Sequence, residues 1–134
     1  MAGYIRRIKK DSTSKSVVVK ILSLSTALPQ TSVSEGQAGL VMKYWRQDGT
    51  ANVFDVSIAP VSITDLSSAY NSGGIKHIAD GWYRVDVPNA AFATGADAVL
   101  ISVTATAMQS DAAYIELTNY NPQTNTPQST PEKY

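Results

Sequence analysis

The 134-residue sequence holds a single histidine, His77, and no cysteine. Thiolate nucleophiles, zinc–thiolate centres and disulfide frameworks are therefore absent from its chemistry. His77 stands beside Ile78 in an alternating segment, where a half-buried sheet residue is the ordinary reading. Its partners for a Ser-His-Asp arrangement, any serine and any aspartate, are too numerous to define one. Asp80, Asp86, Asp97 and Asp111 lie mostly beside glycine or alanine at strand ends, where turn geometry accounts for them. An acid and base for glycoside hydrolysis need a defined separation that spacing alone does not supply. Neither an Asp-x-Asp-x-Asp-Gly calcium loop nor a phosphate-binding glycine loop occurs. No catalytic residue, metal ligand or cofactor site is assigned, and the chain is expected not to be an enzyme.

Binding chemistry is better represented. Trp45 and Trp82, the second followed by Tyr83, sit inside strand-like segments. Such residues serve as core, as interface anchors or as sugar-stacking platforms, and the types alone leave these readings open. The charge is uneven although the formal net charge is zero. Residues 1–20 carry six basic side chains against Asp11 alone, whereas residues 21–118 carry four basic and nine acidic ones. A basic N-terminal segment on an acidic body is either a solvated strand with lysines on its wet face or an arm docking on an acidic neighbouring subunit. Arg6, Arg7, Lys9 and Lys10 are the candidate contacts. Nucleic acid fits less well, because the net negative body opposes a phosphate backbone.

These side chains must be positioned by strands, since period-two patterns run through most of the chain. In "SVVVKILSLS", Val17, Val19 and Ile21 share one face and Val18, Lys20 and Leu22 the other, predicting a strand buried on much of both faces. "AGLVMKYWRQDGT" and "NVFDVSI" read as a hairpin through Asp48-Gly49. In the stretch 59–74, Asp65 is expected to cap a short helical turn over Leu66 to Tyr70. Asp80-Gly81 marks a second turn, after which Tyr83, Val85 and Val87 are expected inward and Arg84 and Asp86 outward. Pro88 stops that strand, "NAAFA" forms a corner with Phe92 beneath the sheet, and Gly95 lets the chain turn into "DAVLISVTATA". With no long amphipathic helix for crossovers, the pattern predicts an all-β fold: an antiparallel sandwich, Ig-like or jelly-roll-like, of about seven strands.

The expected organisation is a basic arm over 1–15, a sandwich domain over 16–118 and an extended tail over 119–134. The tail is rich in Pro, Asn, Gln and Thr and has no aliphatic side chain. By itself such a segment is expected to be disordered or polyproline-like; ordering its sixteen residues would cost on the order of 16–30 kcal/mol, so only an ordered tail would call for a neighbouring subunit, with Tyr120 and Tyr134 as anchors. The N-terminus has positive charge but no following apolar run with a small-residue cleavage site, and no stretch reaches the apolar length of a membrane span. Synthesis in a cytoplasm, without secretion or membrane insertion, is the expectation.

The segment "GWYRVDVPNAAFATGADAVLIS" combines glycine and aromatic, an alternating strand, Pro88, an alanine-rich corner, Gly95-Ala96-Asp97 and a final apolar strand. With the flanking runs, over roughly residues 16–118, it resembles a β-sandwich module of structural proteins of tailed bacteriophages. It is similar, more loosely, to the Ig-like N-terminal module of phage baseplate proteins. The resemblance implies a virion component made in the host cytoplasm, foremost a capsid decoration or cement protein bound to major capsid or other virion proteins. A neck, tail or head-fibre adaptor is the alternative. A symmetric homo-oligomer, a trimer among others, is in keeping with that class. From another class comes a carbohydrate-binding module presenting Trp45, Trp82 and Tyr83 to host glycans.

Overall fold

The computed structural model describes residues 4–47, 53–111 and 113–120. Ten strands follow in order: β1 (Tyr4–Lys9), β2 (Ser16–Ser23), β3 (Val41–Gln47), β4 (Val53–Ile58), β5 (Val61–Ser62), β6 (Gly74–Ala79), β7 (Trp82–Asp86), β8 (Ala98–Ala105), β9 (Met108–Ser110) and β10 (Ala113–Thr118). The one helical element among the described residues is a 3-10 turn at Asn89–Phe92. The protein is all-β, as the alternation predicts.

The sheet is mixed, and it has more strands than the sequence pattern suggests. One run of neighbours is β1-β10-β8-β3-β4 and another is β2-β7-β6-β5, with β9 pairing both β2 and β8. β1/β10 and β5/β6 are parallel, and every other pair is antiparallel. β2 joins the two runs: Ser16 to Lys20 pair with β7, and Ile21 to Ser23 pair with β9. The inward side chains of both runs meet in one buried cluster, a sandwich-like arrangement. The largest fully buried members include Tyr83, Phe92, Ile21, Met42, Ile101 and Ile115.

Period two accounts for this core. Val17, Val19 and Ile21 are buried while Val18, Lys20 and Leu22 are half-buried. On β10, Ala113, Ile115 and Leu117 alternate with half-buried Tyr114, Glu116 and Thr118. Tyr83, Val85 and Val87 face inward as expected, and Phe92 packs beneath the corner that follows Pro88.

The turns follow from residue chemistry. Ala79 pairs with Trp82, so Asp80-Gly81 is a two-residue loop; both residues have positive φ (54° and 87°), the type I′ geometry suited to this dipeptide. The expected Asp48-Gly49 turn lies outside the described residues, but β3 and β4 pair in continuous register from Met42↔Ile58 to Gln47↔Val53.

Two expectations are corrected. The stretch after Asp65 is a turn and not a helix: the Asp65 carboxylate accepts from the Ser67 N–H (3.0 Å) and from the hydroxyls of Ser67 (2.8 Å) and Ser68 (3.3 Å). Serine hydroxyls and amides that bond locally in this way compete with helix formation. Asp86 does not face solvent but is fully buried, because the segment 66–73 folds over the outer side of β7.

Candidate interaction surface

The basic N-terminal segment is tied into the sheet along most of its length. β1 lies parallel to β10, with Arg7 opposite Glu116 and Lys9 opposite Thr118. The turn that follows is bonded to the corner at 89–94. Asp11 N–H donates to Phe92 O (2.7 Å), Ser14 N–H to Asn89 Oδ1 (2.8 Å), and Thr94 N–H to Asp11 Oδ1 (3.1 Å). Of the two readings of this segment, the structure has the strand, and it holds the lysine-bearing turn against the body.

The four candidate cations differ in what they already contact. Arg6 donates to the backbone carbonyl of Ser16. Arg7 forms an exposed ion pair with Glu116 at 2.8 Å, and its pKa is raised by that hydrogen bond, then by the Glu116 charge and by Tyr120. Lys10 reaches Asp97 at 3.4 Å. Among the described residues, Lys9 and Lys15 have no carboxylate partner. With Lys10, Asp11, Ser12 and Thr13 they line an open hollow of about 350 Å³. Asp11, its only carboxylate, already accepts from Thr94. Two lysine ammoniums without carboxylate partners beside hydroxyls make a surface suited to carboxylate or other anionic groups of a partner.

Parallel pairing of β1 with β10 also brings Tyr120 to this end of the sheet, just past Thr118; it is 48% exposed. Tyr134 lies outside the described residues, as does the tail from residue 121.

The aromatic candidates are not gathered on one platform. Trp45 on β3 pairs with Leu100 on β8, which pairs with Tyr114 on β10, a row on the outer side of that run of strands. A hollow of about 220 Å³ beside it is lined by Trp45, Leu100, Ile101, Ser102, Gln109 and Ser110. Trp82 belongs to the other run, where the Lys20 ammonium lies 5.2 Å from its ring centroid in a cation–π contact. Tyr83 is fully buried; its hydroxyl donates to Gln30 O (2.6 Å) and accepts from Val33 N–H (3.1 Å). Burial removes Tyr83 from any glycan-presenting face. His77 stacks obliquely on Tyr83 at 5.0 Å, and its Nε2 accepts the Gly81 N–H (3.3 Å), a contact that closes the β6–β7 turn.

The polar constellation that residue patterns did not reveal is centred on Asp86. Arg84 grips both its oxygens at 2.8 Å, the Ser16 hydroxyl donates at 2.6 Å, and the Asn71 N–H at 2.9 Å. Arg84 also donates to the carbonyls of Leu66 and Ser68, each at 2.9 Å. Burial by itself would push the Asp86 carboxyl up. The Arg84, Ser16 and Asn71 hydrogen bonds and the Arg84 charge outweigh it and hold the carboxyl below the usual range. The group is saturated with donors, and its role is to clamp the 66–73 segment onto β7. The i, i+2 spacing of Arg84 and Asp86 was the available signal, since it places both on one face of a strand.

Among the described residues, no group of three or more His, Cys, Asp or Glu side chains is arranged to hold a metal ion, and no helix is long and apolar enough to cross a membrane. Comparison with protein-family models, with curated proteins and with solved structures finds no match for this chain.

Proposed function

We propose that this chain is a non-enzymatic structural protein of a tailed-bacteriophage particle, of the capsid decoration or cement kind. In this role the β1–β2 turn docks on an acidic surface of a neighbouring virion subunit. The observation that carries the docking role is the Lys9/Lys15 hollow, a cationic surface fixed to a rigid all-β body by backbone bonds to the 89–94 corner. The particle assignment is supported by the resemblance of "GWYRVDVPNAAFATGADAVLIS" to phage structural modules. Tyr83, Val85, Val87, Phe92, Val99 and Ile101 of that segment are buried, so its inward face acts as a scaffold and leaves docking to the lysine-bearing turn. A repeating lattice strengthens such docking, because each weak contact is made many times in fixed geometry.

Charge reversal at Lys9 and Lys15 tests the docking role. The Lys9→Glu/Lys15→Glu double variant should fold as the parent does and fail to co-sediment with particles; unchanged occupancy would overturn the docking role.

A second reading is favoured by one observation, the partly exposed Trp45 beside a hollow with Ser102 and Gln109. An aromatic face with hydroxyl and amide groups suits a sugar ring, and a glycan-array signal abolished by Trp45→Ala would promote it.

A further inference from the structure

Trp45, Leu100 and Tyr114 form one row across three neighbouring strands. Trp45 on β3 pairs with Leu100 on β8, and Leu100 pairs with Tyr114 on β10. The alternate positions Tyr44, Ile101 and Ile115 are buried, which puts the row on the outer side of the sheet. Leu100 is 38% exposed, and both aromatic residues are half-buried. Neighbouring strands lie about 4.8 Å apart, so the Trp45 and Tyr114 positions are separated by roughly 10 Å, with Leu100 midway.

We infer that this row is a stacking platform for an extended, uncharged, β-linked polysaccharide that runs across the strands. Trp45 and Tyr114 each stack on one sugar ring, and Leu100 meets the ring between them. In an extended β-linked chain of hexoses, alternate rings turn the same face to the same side, and two rings advance by about the Trp45–Tyr114 separation. A helically wound α-linked chain turns its rings progressively away and cannot meet both aromatic residues at once. This inference rests on the glycan-binding reading of the Trp45 hollow and names its ligand class.

The groups beside the row fit an uncharged occupant. The hollow of about 220 Å³ is lined by Trp45, Leu100, Ile101, Ser102, Gln109 and Ser110, none of them charged. It is smaller than the pockets that enclose drug-sized ligands, a size suited to one ring of a chain lying over it. It opens where β8 changes partner, from Ile101↔Ala113 on β10 to Thr104↔Gln109 on β9. In that gap the Ser110 Oγ accepts the Val103 N–H at 2.9 Å, and a hydroxyl that accepts keeps its own proton to donate. Gln109 is exposed on this side of the row, and Gln47, two residues beyond Trp45, is exposed on the other. Glu116, the carboxylate two residues beyond Tyr114, is already paired with Arg7. An apolar row between neutral amides and hydroxyls matches the apolar ring faces and hydroxyl rim of a neutral sugar chain.

Titration calorimetry of the full chain with cellohexaose and maltohexaose, which share one sugar and differ in linkage, tests the platform. Cellohexaose should bind at least tenfold more tightly than maltohexaose. Trp45→Ala and Tyr114→Ala should each weaken cellohexaose binding by roughly tenfold. Trp45→Phe and Tyr114→Phe keep a ring and should recover most of that loss, which separates lost stacking from a folding defect. A loss in Trp45→Ala with none in Tyr114→Ala would leave the glycan reading standing and overturn the two-ring platform. Equal binding of the two sugars, or no binding of cellohexaose, would also overturn it, while the glycan-array signal at Trp45 decides separately whether any sugar binds. A dimer in sedimentation equilibrium that Trp45→Ala dissociates would assign the face to a second copy and overturn the inference.

Discussion

Arg84 and Asp86 stand two residues apart on β7 and close a bidentate ion pair, 2.8 Å to each carboxylate oxygen, with Asp86 fully buried. Removing one partner of such a pair leaves an uncompensated buried charge, so Asp86→Ala should cost about 3–5 kcal/mol in urea unfolding. The double variant Arg84→Met/Asp86→Leu should recover part of that loss. Additive losses in the double variant would show that the pair is not the unit of stabilisation.

Acid should expose the same carboxylate. Its pKa is lower in the folded chain, because the donors around it outweigh burial. Below the unfolded carboxylate value of about 4 the unfolded chain binds more protons, so this contribution is present in full above that pH and is lost as pH falls toward the folded value. Melting followed by circular dichroism should be flat down to about pH 4 and then fall. Asp86→Asn should have a shallower acid slope, and an identical slope would assign acid sensitivity to other carboxylates.

Tyr83 ties the segment before β3 to the core through its hydroxyl, which bonds Gln30 O and Val33 N–H. Tyr83→Phe keeps the buried ring but leaves both groups without that partner, a loss of about 1–3 kcal/mol. Hydrogen exchange at the Val33 amide should accelerate selectively; unchanged protection would contradict the tether.

Gly73 has φ +86° and lies where a Cβ would come 2.1 Å from Ala59 O. Gly73→Ala therefore meets a left-handed penalty of about 1–2 kcal/mol as well as a backbone clash. Destabilisation clearly beyond that figure is expected in thermal melts, whereas Gly95→Ala, with positive φ but open space around it, should lose only the conformational part.

Seven of the ten strands and the Asp80-Gly81 turn are legible because alternation and turn dipeptides are local properties, whereas the short β5 and β9 show no alternation of their own and β1 reads equally as an arm. Tyr83, Val85 and Val87 were placed inward by period two, and they are among the most buried residues. What was not legible depends on contacts distant in sequence. Nothing near Arg7 signals that β1 pairs in parallel with β10, more than a hundred residues later. Nor does the alternation that put Asp86 outward carry information that the segment around Asn71 closes over it. For the candidate surface, the excess of N-terminal lysines was readable as charge. Which of them lack carboxylate partners was not, since Glu116 and Asp97 come from the far end of the chain.

The proposed incorporation of the chain into a phage particle is tested by quantitative mass spectrometry of purified virions from a lysate expressing it. The chain is expected in the particles at a fixed copy number relative to the major capsid protein, retained through density-gradient purification. Particles that lack it while it remains in the soluble fraction would overturn the virion assignment.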